Sequence, residues 1–484
     1  MKASAARTAL WAATALSLLA SCALAPPGDG IPQELAAPAG YEPTPLPARQ
    51  PFPPGTIVDY RARSGDTLEA IAAHFNTSVA EILAENPEVP EAATTMPPGY
   101  MLRVPAYYVP LTGSPFVILP DSEIVNGPSA IGFDLRAEIE SRPGYLSRMT
   151  DYAYRRTRPA WEVVQVVARN YSVHPRLLLT LLEHQSQALT QPFPSGDERD
   201  FPLGYRNPRF RGLYRQLIWA AELINDGYYG WRTGALREFE LADGLLVRPD
   251  SWQNAATVGL HLMFAGMYGR QDFEAAIAPE GFFGTYLRLW GDPSSYAVDL
   301  MPANLQQPEL RLPFEPQRVW DFTAGPHFSW GRALPLGALD FAPPSEETGC
   351  VDSVEWVVAP APGVITRSGE ATVVLDLDGD GDDRTGWVLF FFHIATVNRI
   401  AAGTIVETGD RLGHPSCEGG IATGTHVHVA RLYNGEWLPA AGPLAFNLGG
   451  WVAGYGAVPY EGTLSRGSRV VRATTLGTAA SGIE

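Results

Sequence analysis

Five residues in the last third of the chain, His327, Asp340, His393, His426 and His428, constrain its fold more than any other feature. They stand in GPHFSWGRALPLGALDF, VLFFFHIA and ATGTHVHVARL. The THVH tetrad sits in a run of β character, and alternate side chains of a strand share a face. His426 and His428 therefore point the same way, which suits one metal ligand beside one catalytic group. Imidazole and carboxylate are ordinary ligands of first-row metals, and three protein ligands with one open position make a catalytic zinc site. Each piece is weaker alone. A single histidine in LFFFHI reads as a packed core residue, and an HxH pair does not by itself specify a metal.

The residues around these histidines resemble the lysostaphin-like zinc peptidases that cut bacterial cell walls, and within them the β-lytic endopeptidase and staphylolysin branch. The usual pattern of the superfamily is HxxxD, and here the place of its histidine is taken by Leu336. The β-lytic branch sets that ligand further upstream in a GPH-type loop, and His327 stands thirteen residues before Asp340 in GPHFSWG. LDFAPP, APAPGVITRSG and GTIVETGDRLGHPSCEGGIATGTHVH carry the likeness on through residues 313–448. The resemblance implies an antiparallel all-β peptidase domain holding one zinc ion on His327, Asp340 and His428. It also implies that His426 and His393 move protons and steady the oxyanion. His414, in LGHPSC, has no part in the matched pattern and reads as a loop residue. The same branch carries structural disulfides, and Cys350 and Cys417, both in loops of this region, are expected to pair once Cys22 is lipidated or removed.

The first residues, MKASAARTALWAATALSLLASC, read as an export signal. Lys2 and Arg7 give the positive start, and Thr8 to Ala20 give an apolar core too short for a comfortable membrane span. Leu19-Ala20-Ser21-Cys22 resembles a lipobox, which implies cleavage before Cys22 and a lipid anchor on its thiol; cleavage after Ala25 would instead release the protein. Either route places the mature chain outside the cytoplasm, where disulfides persist. With 35 Lys and Arg against 52 Asp and Glu, the net charge of −17 argues against nucleic acid as a partner, because phosphate binding needs a basic surface. It gives no reason to expect electrostatic binding to an anionic membrane either.

At 484 residues the chain is long enough for several domains. Residues 23–57 are a Pro- and Ala-rich spacer. Residues 58–105 resemble a LysM module, a βααβ unit: YRARSGDTLEAIAAHFNTSVAEILAENPEV is followed by MPPGYMLRVP. Leu68, Ile71, Ala72 and Phe75 share a helical face. The resemblance implies a groove for N-acetylglucosamine-containing glycan near Gly65, Asp66, Thr67 and Leu68, and near Asn86 and Pro87. His74 reads as a surface helix residue.

Residues 106–312 open with scattered β-like pieces and continue as helical patterns in WEVVQVVARNYSV, PRLLLTLLEHQS, RGLYRQLIWAAELIND and SWQNAATVGLHLMFAGMY. Pro175 suits a first helical turn, and Asn225-Asp226-Gly227 looks like a helix end. The region loosely resembles the lysozyme-like fold of lytic transglycosylases. The tetrad Glu183-His184-Gln185-Ser186 puts Gln185 where those enzymes carry their acid, so a non-catalytic role is expected. His184 and His261 read as plain helix residues. The run from Asp376 to Asp383 echoes the start of a calcium loop through Asp376, Asp378 and Asp380, but Trp387 stands where a bidentate glutamate is required. A solvated acidic hairpin is the better reading. The tail, 449–484, is Gly- and Ser-rich with one short strand.

The fold expected is thus multidomain: a small LysM unit, an α-helical middle region and an all-β peptidase domain. The function expected is cleavage of an amide bond in peptidoglycan, with LysM holding the glycan. The alternative is a non-catalytic peptidoglycan-binding lipoprotein that regulates another hydrolase; such relatives usually lack a metal ligand, whereas all five positions are filled here.

Overall fold

The computed structural model describes residues 52–107 and 113–484. The export segment with Cys22, the alternative cleavage point at Ala25 and residues 23–51 of the spacer lie outside the described residues. Among the described residues, no helix is long and apolar enough to cross a membrane.

The LysM unit has the expected order: strand Thr56–Arg61, helices Leu68–Phe75 and Val79–Glu85, and strand Met101–Ala106 paired antiparallel with the first. Thr67 caps the first helix by accepting from Ala70 N, and Ser78 with Glu81 forms a capping box on the second. Phe75, Ile82, Leu102 and Val104 close its small core. His74 departs from expectation. It is 5% exposed, stacks on Trp231 with ring centroids 3.7 Å apart, and sets Nε2 2.9 Å from Trp231 O. A small module cannot bury its helices alone, so this face is covered by the helical region.

That region begins with 3-10 turns and the short helix Leu135–Glu140 where β-like pieces were expected. It then builds on the helices Ala160–Tyr171, Pro175–Ser186, Leu213–Arg232 and Ala255–Ala265. Pro175 does occupy the first helical turn. Asn225-Asp226-Gly227 does not end a helix; Leu213–Arg232 runs straight through it. Asn225 Nδ2 donates to Tyr171 O at 2.8 Å, and Asp226 Oδ1 accepts from Leu334 N at 2.9 Å. Gly227 packs so close to Gly259 that a Cβ would stand 2.7 Å from its Cα. Residues that look like a cap are here helix-packing and domain-joining residues.

The β domain centres on a nine-stranded sheet. Strands Thr372–Asp376, Trp387–Phe392, Val427–Tyr433, Ala333–Ala342 and Trp320–Trp330 lie side by side in that order, all antiparallel. WVLFFF is apolar throughout because both faces of its strand are buried. Val388, Phe390 and Phe392 join the core shared with the helices, while Leu389 and Phe391 join the second core. The tail does more than expected. Trp451–Tyr455, Gly462–Arg466 and Arg469–Arg472 continue a four-stranded sheet, Gly482–Ile483 pairs with Trp320–Trp330, and Trp451, Leu464 and Ile483 lie in the second core. Its glycines serve the turns between short strands.

Candidate metal centre

Sheet register assembles the site. His428 lies opposite Asp340 on the neighbouring strand and opposite Phe392 on the other side. The strand carrying His327 is irregular between Phe322 and Trp330. Such bulges re-aim side chains, and here they bring His327 over Asp340. Asp340 Oδ1 stands 3.2 Å from His327 Nε2 and 3.3 Å from His428 Nδ1, and those two nitrogens are 3.0 Å apart. His426, just before its strand, sets Nε2 3.7 Å from Asp340 Oδ2. His393 follows Phe392 in a left-handed conformation, φ 63°, which turns its ring to within 4.4 Å of the His426 ring. A non-glycine residue held there is strained, and such strain gathers at functional sites. All five residues expected from the sequence meet at one place.

Each imidazole is held through its outer nitrogen by a backbone carbonyl. His327 Nδ1 donates to Gly325 O at 2.9 Å, and His428 Nε2 to Ser329 O at 3.0 Å. His393 Nδ1 donates to Glu418 O, and His426 Nδ1 to Gly424 O, both at 2.8 Å. A carbonyl only accepts, so the outer nitrogen carries the proton and the inner one keeps its lone pair. This is how metal-binding histidines are oriented. Two lone pairs and a carboxylate oxygen then converge within about 3.3 Å, and Asp340 Oδ1 is buried without a hydrogen-bond partner. Only a positive charge relieves that crowding. His327, Asp340 and His428 could hold a metal ion, and this donor set of two nitrogens and one oxygen fits zinc.

The buried groups also shift one another's protonation. Burial penalises the charged form of His327, but the Asp340 carboxylate outweighs it and raises the imidazole's pKa. Burial likewise opposes charge on Asp340, yet His327 and His426 hold its carboxyl well below the usual range. Burial lowers His428. Burial, then the neighbouring His426, pushes His393 down to about 3, leaving it neutral.

A disulfide joins Cys350 to Cys417 across 67 positions of sequence. It ties the loop after Ala333–Ala342 to the loop whose Glu418 carbonyl orients His393. Val351 and Thr425 extend the tie, Val351 N donating to Thr425 Oγ1 at 2.9 Å.

A family model described as the LasA N-terminal domain matches residues 117–304, and a LysM domain model matches residues 60–105. Protease LasA of Pseudomonas aeruginosa is 26% identical over 364 residues, covering 69% of this chain and 79% of that protein. The chain is thus similar to the LasA-type proteases and carries a match to a LysM module. Among solved structures, the metalloprotease pseudoalterin from the deep sea is 24% identical, covers 34% of this chain and 96% of that one, and gives a TM-score of 0.29. The catalytic domain of lysostaphin from Staphylococcus simulans is 19% identical, covers 25% and 89%, and gives 0.19. Scores this low carry no argument; the kinship rests on the sequence matches and on the centre itself.

The helical region is the part that matches the LasA N-terminal domain model. Glu183 is buried and accepts from Leu189 N at 2.9 Å and Thr190 Oγ1 at 2.6 Å, a turn-holding role. Gln185 Oε1 accepts from Tyr268 OH at 2.8 Å.

Sequence reasoning missed Tyr460. Its ring stacks on His327 with centroids 4.7 Å apart, and Gly325 N donates to its carbonyl at 2.8 Å. It lies in the glycine-rich tail, where no motif points to the centre. His414, expected in a loop without duty, packs on Trp356 with centroids 3.8 Å apart.

Most of the residues expected to meet glycan in LysM are buried. Gly65, Asp66, Leu68 and Asn86 are buried; only Thr67, half-buried, and Pro87 reach the surface. Asp66 accepts from Tyr60 OH at 2.7 Å and Arg63 N at 2.8 Å, and Asn86 Nδ2 donates to Ile82 O and Arg103 O. A side chain at Gly65 would meet the Arg232 guanidinium at 2.8 Å. Asp376, Asp378 and Asp380 stand close enough to share an ion. Their oxygens instead accept from backbone amides of their own loop, Asp376 from Asp378 N and Gly381 N, and Asp380 from Asp382 N.

Proposed function

We infer that this chain is an extracytoplasmic zinc metalloendopeptidase that hydrolyses an amide bond in a stem or crossbridge of peptidoglycan. The observation that carries this reading is the convergence of three carbonyl-oriented imidazoles on the Asp340 carboxylate, with a fourth, His393, beside His426. LysM would hold N-acetylglucosamine-containing glycan, and a lipid on Cys22 would anchor the chain unless cleavage after Ala25 releases it.

His327, Asp340 and His428 would hold one zinc ion, which would supply Lewis-acid chemistry for a carbonyl and an activated water at a pKa of about 7. His393 and His426 present unprotonated inner nitrogens beside that place, 4.4 Å ring to ring. One is set to take a proton from the attacking water and, once protonated, to donate to oxygen as negative charge develops there. Tyr460 covers the outer face of His327 and keeps water from its ring. The Cys350–Cys417 bridge fixes the loop that aims His393.

Mass analysis of fragments released from purified peptidoglycan tests the reaction class. New amino and carboxyl termini within stem or crossbridge peptides are expected. Release of glycan ends alone would contradict the reading, as would no release across walls of several crossbridge types.

A further inference from the structure

Two LysM loops, one of them leading into the expected glycan residues Gly65 to Leu68, face another part of this same chain. Ser64, in the loop before the first LysM helix, accepts from Met301 N at 2.7 Å and donates to Met301 O at 3.1 Å through its hydroxyl. In the loop before the last LysM strand, Thr95 Oγ1 donates to Pro302 O at 2.8 Å and accepts from Leu305 N at 2.9 Å. Asn304 N donates to Thr95 O at 2.9 Å, and Thr94 Oγ1 donates to Leu305 O at 2.6 Å. Residues 301–305 therefore run from one LysM loop to the other, while the Met301 and Leu305 side chains are buried in the core of the helical region.

These are the groups a sugar would use: hydroxyl and backbone donors and acceptors on two neighbouring loops. All of them are engaged by the strap. We propose that residues 301–305 occupy the glycan groove of LysM, so that glycan binds only when this strap is displaced. The proposal rests on the reading that the module recognises N-acetylglucosamine glycan, and adds that its groove is closed at rest.

The strap, not the module, is the part built to move. LysM is fixed from behind by the His74–Trp231 stack, by Ala70 and Ala73 against Gly234, and by Arg232 against Gly65 and Asp66. The strap lies in a stretch without helix or strand between Pro293–Ser295 and Trp320–Trp330. Pro302, Ala303 and Asn304 are exposed. Just beyond it Gln307 bonds to Arg431 and Asn447 of the β domain, so its far end stays tethered.

Asn304 gives the handle. It adopts φ 48° and donates its backbone N–H to Thr95. Proline fixes φ near −65° and has no N–H, so Asn304→Pro evicts the strap at an exposed position. Calorimetry with the hexamer of β-1,4-linked N-acetylglucosamine, on the full chain, should show binding at least about 10-fold tighter for Asn304→Pro than for the wild type. A cross-link tests the converse. Thr94 Oγ1 and Asn304 Oδ1 are 3.4 Å apart, so Thr94→Cys with Asn304→Cys can be bridged. The oxidised form should lose hexamer binding and the reduced form regain it. Equal binding by the wild type, Asn304→Pro and the oxidised cross-linked form would overturn the closed groove while leaving glycan recognition intact. No binding by a folded Asn304→Pro chain would overturn both.

Discussion

Asp340 and Arg232 each sit among ionisable groups withdrawn from water, yet their clusters are completed differently. Around Arg232 stand Glu436 of the β domain at 3.0 Å, Asp121 of the helical region at 3.4 Å and Asp66 of LysM at 3.9 Å. The guanidinium also donates to Ser64 O and Tyr228 OH. This cluster supplies its own cation, and that cation joins three parts of the chain. Around Asp340 the imidazoles turn protons outward and lone pairs inward, so the cation must come from outside. The lesson is that burial of charge does not separate structure from function. What separates them is whether the donors and acceptors close on themselves.

The largest effect that would break this comparison is at Asp340. Asp340→Ala should abolish zinc binding and lower peptidoglycan lysis by about 10³-fold or more, since the metal's contribution is lost with it. Zinc content and turbidity loss measure both; retained zinc with near-normal lysis would refute the assignment. Chelation should also lower the unfolding midpoint of the wild type, because a ligand bound only by the folded state stabilises it.

At the other cluster, Arg232→Met should cost about 3–5 kcal/mol in chemical denaturation, the usual effect of leaving buried charges uncompensated. Adding Glu436→Leu should recover part of that loss, whereas no removal of a partner should rescue Asp340→Ala. A smaller effect should appear at the rim. Tyr460→Ala is expected to weaken zinc affinity by about 10–100-fold with the fold intact, as removal of groups supporting metal ligands typically does. Unchanged affinity would make the stack incidental.

The weakest expected effect separates structural histidines from the centre. Burial holds His74, His174 and His261 at about 3 and His184 at about 4. Their folded pKa values lie below the unfolded 6.5, so the unfolded chain takes up protons first and stability falls as pH drops below 6.5. Burial raises Glu436 to about 7 and Asp226 to about 6, so these two take up protons in the folded state and oppose the fall. Four groups against two leave the unfolded chain with about two more protons, a net loss on the order of 2–3 kcal/mol per pH unit between pH 6 and 5. Denaturant melts of the zinc-free chain measure it; rising stability over that interval would refute the balance.

Local pattern and register were legible in the sequence, and long-range partners were not. The period of two in THVH places His426 and His428 on one face, and the strands keep them there. The βααβ order of LysM and the helices after Ala160 follow from spacing within short windows. The failures share one cause. His74 looks like a surface residue until Trp231 covers it, and Asn225-Asp226-Gly227 looks like a cap until Tyr171, Leu334 and Gly259 use it. Tyr460 and Arg232 carry no local signal because their partners lie more than a hundred residues away. The segment 301–305 against the LysM loops carries no local signal for the same reason, since its partners Ser64 and Thr95 lie more than two hundred residues away.

The central claim is most directly tested by zinc content together with lysis of purified peptidoglycan, for the wild type and His426→Ala. One zinc per chain in both proteins, with lysis abolished by chelator in the wild type and by the substitution, is the result expected. Zinc bound without lysis by the wild type would contradict the peptidase and favour a binding lipoprotein.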